Sequence, residues 1–264
     1  MLLLKSDDYM GRNPSIYAIN RTPQNDFPEH GHDFSEFVFA CNGSGIHVKN
    51  DAQKVILPQM VTLVTDKDYH LYEGTNDLQL FNICYKKNAI NLREESANVL
   101  KKIEGNMSDI LVTEKSFEQV MNTVRLIENE QKADGDHAEV MISVLFEQLL
   151  LQIDRLIVHT GTSNNVTRAI VYICDHYKDC ELLVAHVCEK FEVPSAALNS
   201  RILSLTGISA NKFINALRIN KAKKLLSEGR SITEVAFFVG FNDSNYFSTK
   251  FKSATGYTPR DYQR

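Results

Sequence analysis

The stretch Ser231–Tyr262, SITEVAFFVGFNDSNYFSTKFKSATGYTPRDY, carries enough local signals to fix the architecture of the chain's last third. Ser231 followed three residues later by Glu234 forms a capping-box pattern, which satisfies free N–H groups at a helix start. Ile232, Val235, Ala236 and Val239 then fall at i, i+3, i+4 and i+7, one apolar stripe on a helical period. Gly240 stands where the chain must turn sharply at positive φ. Asn242 or Asp243 is placed to cap a second helix, in which Phe247 and Phe251, four apart, face inward. Asn245, Thr249 and Lys252 are left on the opposite side. Gly256 ends that helix, and Thr258-Pro259 starts another with proline at its first position. A short helix, a glycine turn and an outward-facing polar helix make a helix-turn-helix, whose second helix is shaped for a DNA groove.

The same run, I-x-x-V-A-x-x-V-G-F-x-D-x-x-Y-F-S-x-x-F-K-x-x-x-G-x-T-P-x-x-Y from Ile232 to Tyr262, closely resembles the signature of the AraC/XylS transcription regulators. The resemblance implies that Asp243 and Asn245 contact bases, and that an acidic residue near Glu234 meets the RNA polymerase sigma subunit. Asn bonds adenine in bidentate fashion and Asp accepts from cytosine N4. Asp243 also fits a helix cap worth roughly 0.5–2 kcal/mol, and Glu234 is also the capping-box partner of Ser231.

Val184, Val187, Cys188 and Phe191 repeat the apolar stripe 48 residues earlier. Val193 matches Phe241, and Leu198 and Ile202 match Phe247 and Phe251 with one residue fewer in the turn. Two helix-turn-helix units are therefore expected. A helix from Ser209 to Glu228, closed by Gly229, joins them. Its ~30 Å length at 1.5 Å per residue approaches the ~34 Å between successive major grooves on one DNA face. Arg218, Lys221 and Lys224 recur along it and, with Lys250 and Lys252, are candidates for phosphate contacts. The first reading helix is less polar: Ala196, Ser200 and Leu203 stand where the second has Asn245, Thr249 and Lys252, with Asn199 and Arg201 at the flanks. Glu192 occupies the place of Gly240, so the first turn is expected to be built differently.

A chain of 264 residues has room for two ordinary domains. Its composition, 43% hydrophobic and 23% charged, excludes low-complexity and fibrous classes. No apolar run approaches the about 18 residues of a membrane span, and the opening Met-Leu-Leu-Leu is too short for a signal-peptide core. No membrane partner is expected. Five cysteines without a C-x-x-C pair indicate neither a disulfide framework nor a zinc site, and read as buried free thiols in a reducing cytoplasm. The net charge of −4 divides unevenly. From Val166 onward 14 Lys+Arg face 9 Asp+Glu, a balance of +5, which leaves −9 for residues 1–165. One half suits phosphates and the other does not.

The N-terminal half carries short β-rich runs from Asn25 to about Lys87, divided by turn residues at Gly43-Ser-Gly45 and Asn50-Asp51, as in a small barrel or sandwich. Within it, His30-Gly-His32-Asp-Phe-Ser-Glu36, then Gly43, resembles the first motif of the cupin barrels, whose metal-binding members use two histidines and a glutamate. The second cupin motif is not matched: Pro58-Gln59-Met60 lacks its glycine, and His70 lies twelve residues past the proline. No metal or other cofactor is therefore expected. The other reading is a pocket of hydrogen-bonding groups for a polar ligand, with His30, His32, Glu36, His70, Tyr72 and Asn82 as candidates. P-E-H-G-H-D-F-S-E, GSGIHV and DKDYHLYEG look like the sensor domains of sugar-responsive family members, especially L-rhamnose activators, which implies a sugar effector.

Beyond Lys87 the period becomes helical. Ser116–Gln131 carries Phe117, Val120, Met121, Val124 and Ile127, and ends in Asp134-Gly135. Ala138–Val158 carries an apolar stripe widened by Leu150 and Leu151 beyond what one core needs, as a dimer contact would be. His159–Asn165 reads as a linker.

These features predict an α+β chain: a cupin-like β-barrel with two flanking helices for sensing and dimerisation (1–158), a linker (159–165), and an all-α DNA-binding domain with two helix-turn-helix units (166–264). The expected protein is a cytoplasmic, homodimeric, ligand-responsive regulator of promoter DNA, an activator of a sugar operon, and not an enzyme. Alternatives are a regulator answering a lipid or protein partner, and a metal-dependent cupin enzyme with a DNA-binding tail.

Overall fold

The computed structural model describes residues 2–10, 15–107, 109–133, 135–160 and 165–263. The chain divides into two compact units, Met1–Ser163 and Asn164–Arg264. Within the predicted linker, 161–164 lie outside the described residues, as does Asp134. Its first two residues extend the preceding helix instead.

The first unit is built on two long antiparallel strands, β4 (Ser35–Lys49) and β7 (Tyr69–Tyr85). β4 also pairs with β5 (Ala52–Ile56) and β6 (Met60–Val64). β7 also pairs with β2 (Ile16–Arg21) through one half and β3 (Phe27–His32) through the other. Short β1 (Leu2–Leu4) lies parallel to β3, and β8 (Ile110–Leu111) borders β6. β1, β2 and β8 were not anticipated, because each lies outside the β-rich span read from the sequence.

One face of the sheet is apolar. Ile16, Ala18, Phe37, Phe39, Phe81 and Ile83 pack there against helices. Three longer helices flank the sheet among the described residues, rather than two: α2 (Glu94–Asn106), α3 (Glu114–Ala133) and α4 (Ala138–Thr160). α2 escaped notice because only Val99, Leu100 and Ile103 mark its apolar side, and of these Leu100 and Ile103 are buried. A one-turn helix, α1 (Ser6–Tyr9), precedes β2. The other sheet face holds Phe34, Cys84 and Met10 beside a polar cavity.

Irregularities in the β4–β7 ladder between Ala40 and Ile46 change which residues face which side. Glu36 points into the cavity side at even parity, whereas His47, past the irregular segment, reaches that side at odd parity and stacks on Tyr72. Gly43 makes this possible. Its φ is +74°, and a Cβ there would meet the Asp77 carbonyl oxygen at 2.0 Å.

The second unit comprises α5 (Asn165–His176), α6 (Val184–Lys190), α7 (Ser195–Thr206), α8 (Ala210–Ser227), α9 (Ile232–Phe238), α10 (Ser244–Thr255) and α11 (Pro259–Tyr262). The repeat is faithful: α6 and α9 have 7 residues each, and α7 and α10 have 12 each. Phe247 and Phe251 are fully buried with Val235, Ala236 and Val239. Leu198, Ile202 and Val187 fill the equivalent places in the first helix-turn-helix.

One expectation is overturned. The first turn is built like the second, with Glu192 itself in the left-handed region at φ +53°. Val193 N–H donates to the Cys188 carbonyl at 2.9 Å, as Phe241 N–H does to that of Ala236 at 2.9 Å. A non-glycine residue tolerates this backbone at a cost of about 1–2 kcal/mol. Gly240 has a second reason to lack a side chain: a Cβ would lie 2.7 Å from the Lys178 carbonyl oxygen. The cysteines also differ from expectation, since Cys41 and Cys180 are exposed; all five are free.

Candidate ligand pocket and nucleic-acid interface

The structure brings all six predicted pocket residues to one cavity of about 240 Å³. His30 and His32 end β3, and Glu36 starts β4 after the chain bends at Asp33-Phe34. His70 stands opposite His30 in the β3–β7 register, and Tyr72 and Asn82 follow on β7. All six stand at even-numbered positions on the strands that line the cavity, although His32 and Glu36 lie on different strands. Phe34 stacks on His32 with ring centroids 4.4 Å apart.

The floor is buried and polar. Glu36 Oε2 accepts from Asn82 Nδ2 at 2.8 Å. His32 Nδ1 donates to the Phe34 carbonyl, and His47 Nε2 and His70 Nδ1 share a hydrogen at 2.9 Å. Burial lowers the pKa of His30, lowers that of His47 to about 4, and holds His70 well below its ordinary value. These three imidazoles are neutral near pH 7. Burial also pushes the Tyr72 phenol and the Cys84 thiol upward. Among the described residues, the buried atoms Tyr72 Oη, Asn82 Oδ1, His32 Nε2 and His70 Nε2 have no hydrogen-bonding partner.

The mouth was missed by sequence reasoning. Arg21 at the end of β2 lies over the Tyr9 ring at 5.1 Å, and Gln24, Asn25 and Asp26 line the rim. Arg21 shares parity with Tyr17 and Ile19, which pack on the cavity side of the sheet, so recognition of β2 would have found it. No parity rule would have found His47, because the β4 irregularities intervene.

In the second unit, Asn245, Thr249 and Lys252 are exposed along one side of α10. Asp243 caps that helix, its Oδ1 accepting from Tyr246 N–H at 2.6 Å, so of the two candidate caps it is Asp243 that acts. Lys250 sits over the Tyr246 ring at 5.2 Å. In α7, Ala196, Ser200 and Leu203 are exposed, and Arg201 is half-buried. Asn199 is a structural cap: its Oδ1 accepts from Ala210 N–H at 3.0 Å at the start of α8. Glu234 and Ser231 join side chains at 2.8 Å.

The basic residues of α8 do not form the one exposed phosphate stripe expected from their spacing. Arg218 is 8% exposed, and donates through Nε to the Tyr177 carbonyl at 2.7 Å and through Nη2 to the Asp179 carbonyl at 2.8 Å. Lys221 is 5% exposed. Both face inward because Arg218 stands four residues from Ile214 and Ala222, and Lys221 four from Leu217 and Leu225, all on the packed side of the helix; the three-residue spacing has rotated toward solvent only by Lys224. Of the three, Lys224 remains partly exposed.

A polar cavity in a sheet-rich unit, followed by a second unit with paired helix-turn-helix motifs, defines a ligand-responsive DNA-binding regulator. Comparison with known proteins agrees. Residues 13–150 match the AraC-like ligand binding domain family, and residues 187–264 match the helix-turn-helix domain family. The chain is 32% identical over 272 aligned positions to the HTH-type transcriptional activator RhaS of Escherichia coli O139:H28, covering 100% of this chain and 98% of that protein. For RhaS of Klebsiella pneumoniae strain 342 the identity is 33% with the same coverage. Among solved structures, the C-terminal domain of AraT from Geobacillus stearothermophilus is 36% identical over 39% of this chain and 85% of that one, with a TM-score of 0.36. An apo form of ToxT from Vibrio cholerae, a single-residue variant, is 16% identical over 96% and 98% of the two chains, with a TM-score of 0.37. The sequence matches place the chain in the AraC family of transcription regulators.

Proposed function

We propose that the protein activates a sugar-utilisation operon, taking a monosaccharide-sized effector into the cavity of its first unit. The observation that carries this is the cavity's chemistry: unpartnered Tyr72 Oη and Asn82 Oδ1 among aromatic and imidazole faces. Its about 240 Å³ falls below the roughly 300–1,000 Å³ of sites for drug-sized ligands. The RhaS relatives, which are transcriptional activators, support the activation. Thermal-shift screening of the full chain against a sugar panel tests it, since a ligand at 100 times its Kd stabilises the native state by ~2.7 kcal/mol. A panel without any shift, or a shift undiminished in Asn82→Leu, would refute the assignment.

The protein works in the cytoplasm as a regulator without catalysis. Promoter bases are read by Asp243, Asn245 and Thr249 of the second helix-turn-helix and by Ser200 and Arg201 of the first helix-turn-helix. Lys224, Lys250 and Lys252 meet phosphates. α4 presents Val140, Met141, Val144 and Leu151 to solvent, each more than two-fifths exposed, and this face joins a second copy. Glu234, exposed and joined to Ser231 through both its carboxylate and its backbone N–H, faces the polymerase sigma subunit. Replacing it with Gln should lower activated transcription while leaving promoter affinity unchanged; an equal loss in both would remove that role.

A further inference from the structure

We propose that His32, Glu36 and His70 bind one divalent transition-metal ion, of the zinc or iron(II) class, at the floor of the cavity. Among the described residues, one atom from each lies within 4.8 Å of the other two. Glu36 Oε1 is 3.9 Å from His32 Nε2 and 3.7 Å from His70 Nε2. Both nitrogens are unpartnered on side chains at most 2% exposed. Ligands held at ~2.0–2.2 Å from a tetrahedral ion sit about 3.3–3.5 Å apart, so both histidine–carboxylate gaps close by a few tenths of an ångström, while the two histidine nitrogens, within 4.8 Å of each other, draw together by up to roughly an ångström more.

The donor set is prepared from behind. A carbonyl oxygen only accepts, so His32 Nδ1 carries the ring hydrogen in its bond to Phe34, and His32 Nε2 presents a bare lone pair. That lone pair faces a carboxylate oxygen across a gap too long to share a proton, in a buried site. A cation between them turns an unfavourable juxtaposition into two attractions. The other carboxylate oxygen is already engaged by Asn82, which leaves Oε1 to the two histidines. His70 Nδ1, 2.9 Å from His47 Nε2, has the outer hydrogen-bond partner that orients metal-binding imidazoles, and that bond leaves His70 Nε2 bare when Nδ1 donates. Two imidazoles and one carboxylate favour zinc, iron or nickel over magnesium or calcium. Three protein ligands also match sites that keep a position for an exchangeable group, and all three side chains line the cavity. The expectation of no metal rested on the loop at Pro58-Gln59-Met60; the third ligand instead arrives on β7 opposite His30.

The full chain, stripped with a chelator, is titrated with zinc by calorimetry and with cobalt(II) by visible absorption, without sugar or DNA. One equivalent per chain and cobalt ligand-field bands are expected. Glu36→Gln and His70→Gln should lose affinity by more than the roughly 10–100-fold that removal of an outer partner costs, and His47→Phe should fall within that range. Absence of any stoichiometric ion among zinc, cobalt, nickel and iron(II), or wild-type affinity in Glu36→Gln and His70→Gln, overturns the proposal. If those variants misfold, X-ray absorption of the zinc-loaded wild type decides: nitrogen and oxygen ligation supports the site, and sulfur ligation refutes it. A failed sugar screen leaves this outcome untouched.

Discussion

Replacing Arg218 with Met separates a structural staple from a DNA contact. Met keeps the apolar stem of the side chain but removes the guanidinium that bonds the Tyr177 and Asp179 carbonyls at 2.7 and 2.8 Å. Each bond to a charged group is worth about 1.5–3 kcal/mol. Asp179 O keeps a second donor, Leu182 N–H at 3.1 Å, which places the total near the lower end. The lost contact over Phe241, at 5.5 Å, adds a further ~0.5–1 kcal/mol. The expected destabilisation is therefore ~3–4 kcal/mol, and at 4–8 °C per kcal/mol for a unit of this size the transition of the DNA-binding half should fall by more than about 10 °C. Calorimetry of the full chain reads that shift. Promoter binding measured across a salt series, at a temperature where the variant is folded, should keep its slope. An unchanged transition together with a slope reduced by ~0.9 would mean that Arg218 neutralises a phosphate after all.

Gly240→Ala should destabilise the same half by roughly 2–4 kcal/mol, from left-handed backbone strain and the approach to Lys178; Glu192→Gly should be neutral or stabilising by up to ~1 kcal/mol. Denaturation midpoints that move alike for both would contradict the two-turn comparison. Asn245→Ala should weaken promoter binding by about 1–3 kcal/mol and relax one base position, whereas an unchanged footprint and preference would rule that contact out. Lys224→Ala should weaken all sequences alike and flatten the salt dependence, so a loss of preference alone would be inconsistent with a phosphate role. Val144→Asp should convert dimer to monomer in sedimentation while the sensor unit stays folded; a dimer that persists would move the interface elsewhere.

The second half of the chain was largely legible because its signals are local. Caps at Ser231 and Asp243, a left-handed glycine at 240 and a fourfold spacing of phenylalanines each constrain a few neighbouring residues. What failed there was orientation: Arg218 and Lys221 look like a solvated basic row until the helix is packed, and Glu192 looks unfit for a turn that it in fact makes. The sensor half was harder. Its six candidate pocket residues stand out by hydrogen-bonding residue type along the β-rich runs and do line one cavity, but β2 lies before the span that reads as β-rich, and Arg21 went with it. His47 depends on register irregularities that arise from pairing with a strand more than twenty residues away.

The irregular segment between Ala40 and Ile46 has a consequence for how such a chain tolerates change. It sits near the surface, at Asn42 and Gly43, where insertions are ordinarily harmless. Here a gain or loss of a single residue would rotate everything downstream by half a repeat, sending His47 outward and away from Tyr72 and His70. Length at this bend is thus as constrained as identity in the core, and a one-residue deletion there should silence effector response while leaving promoter recognition intact.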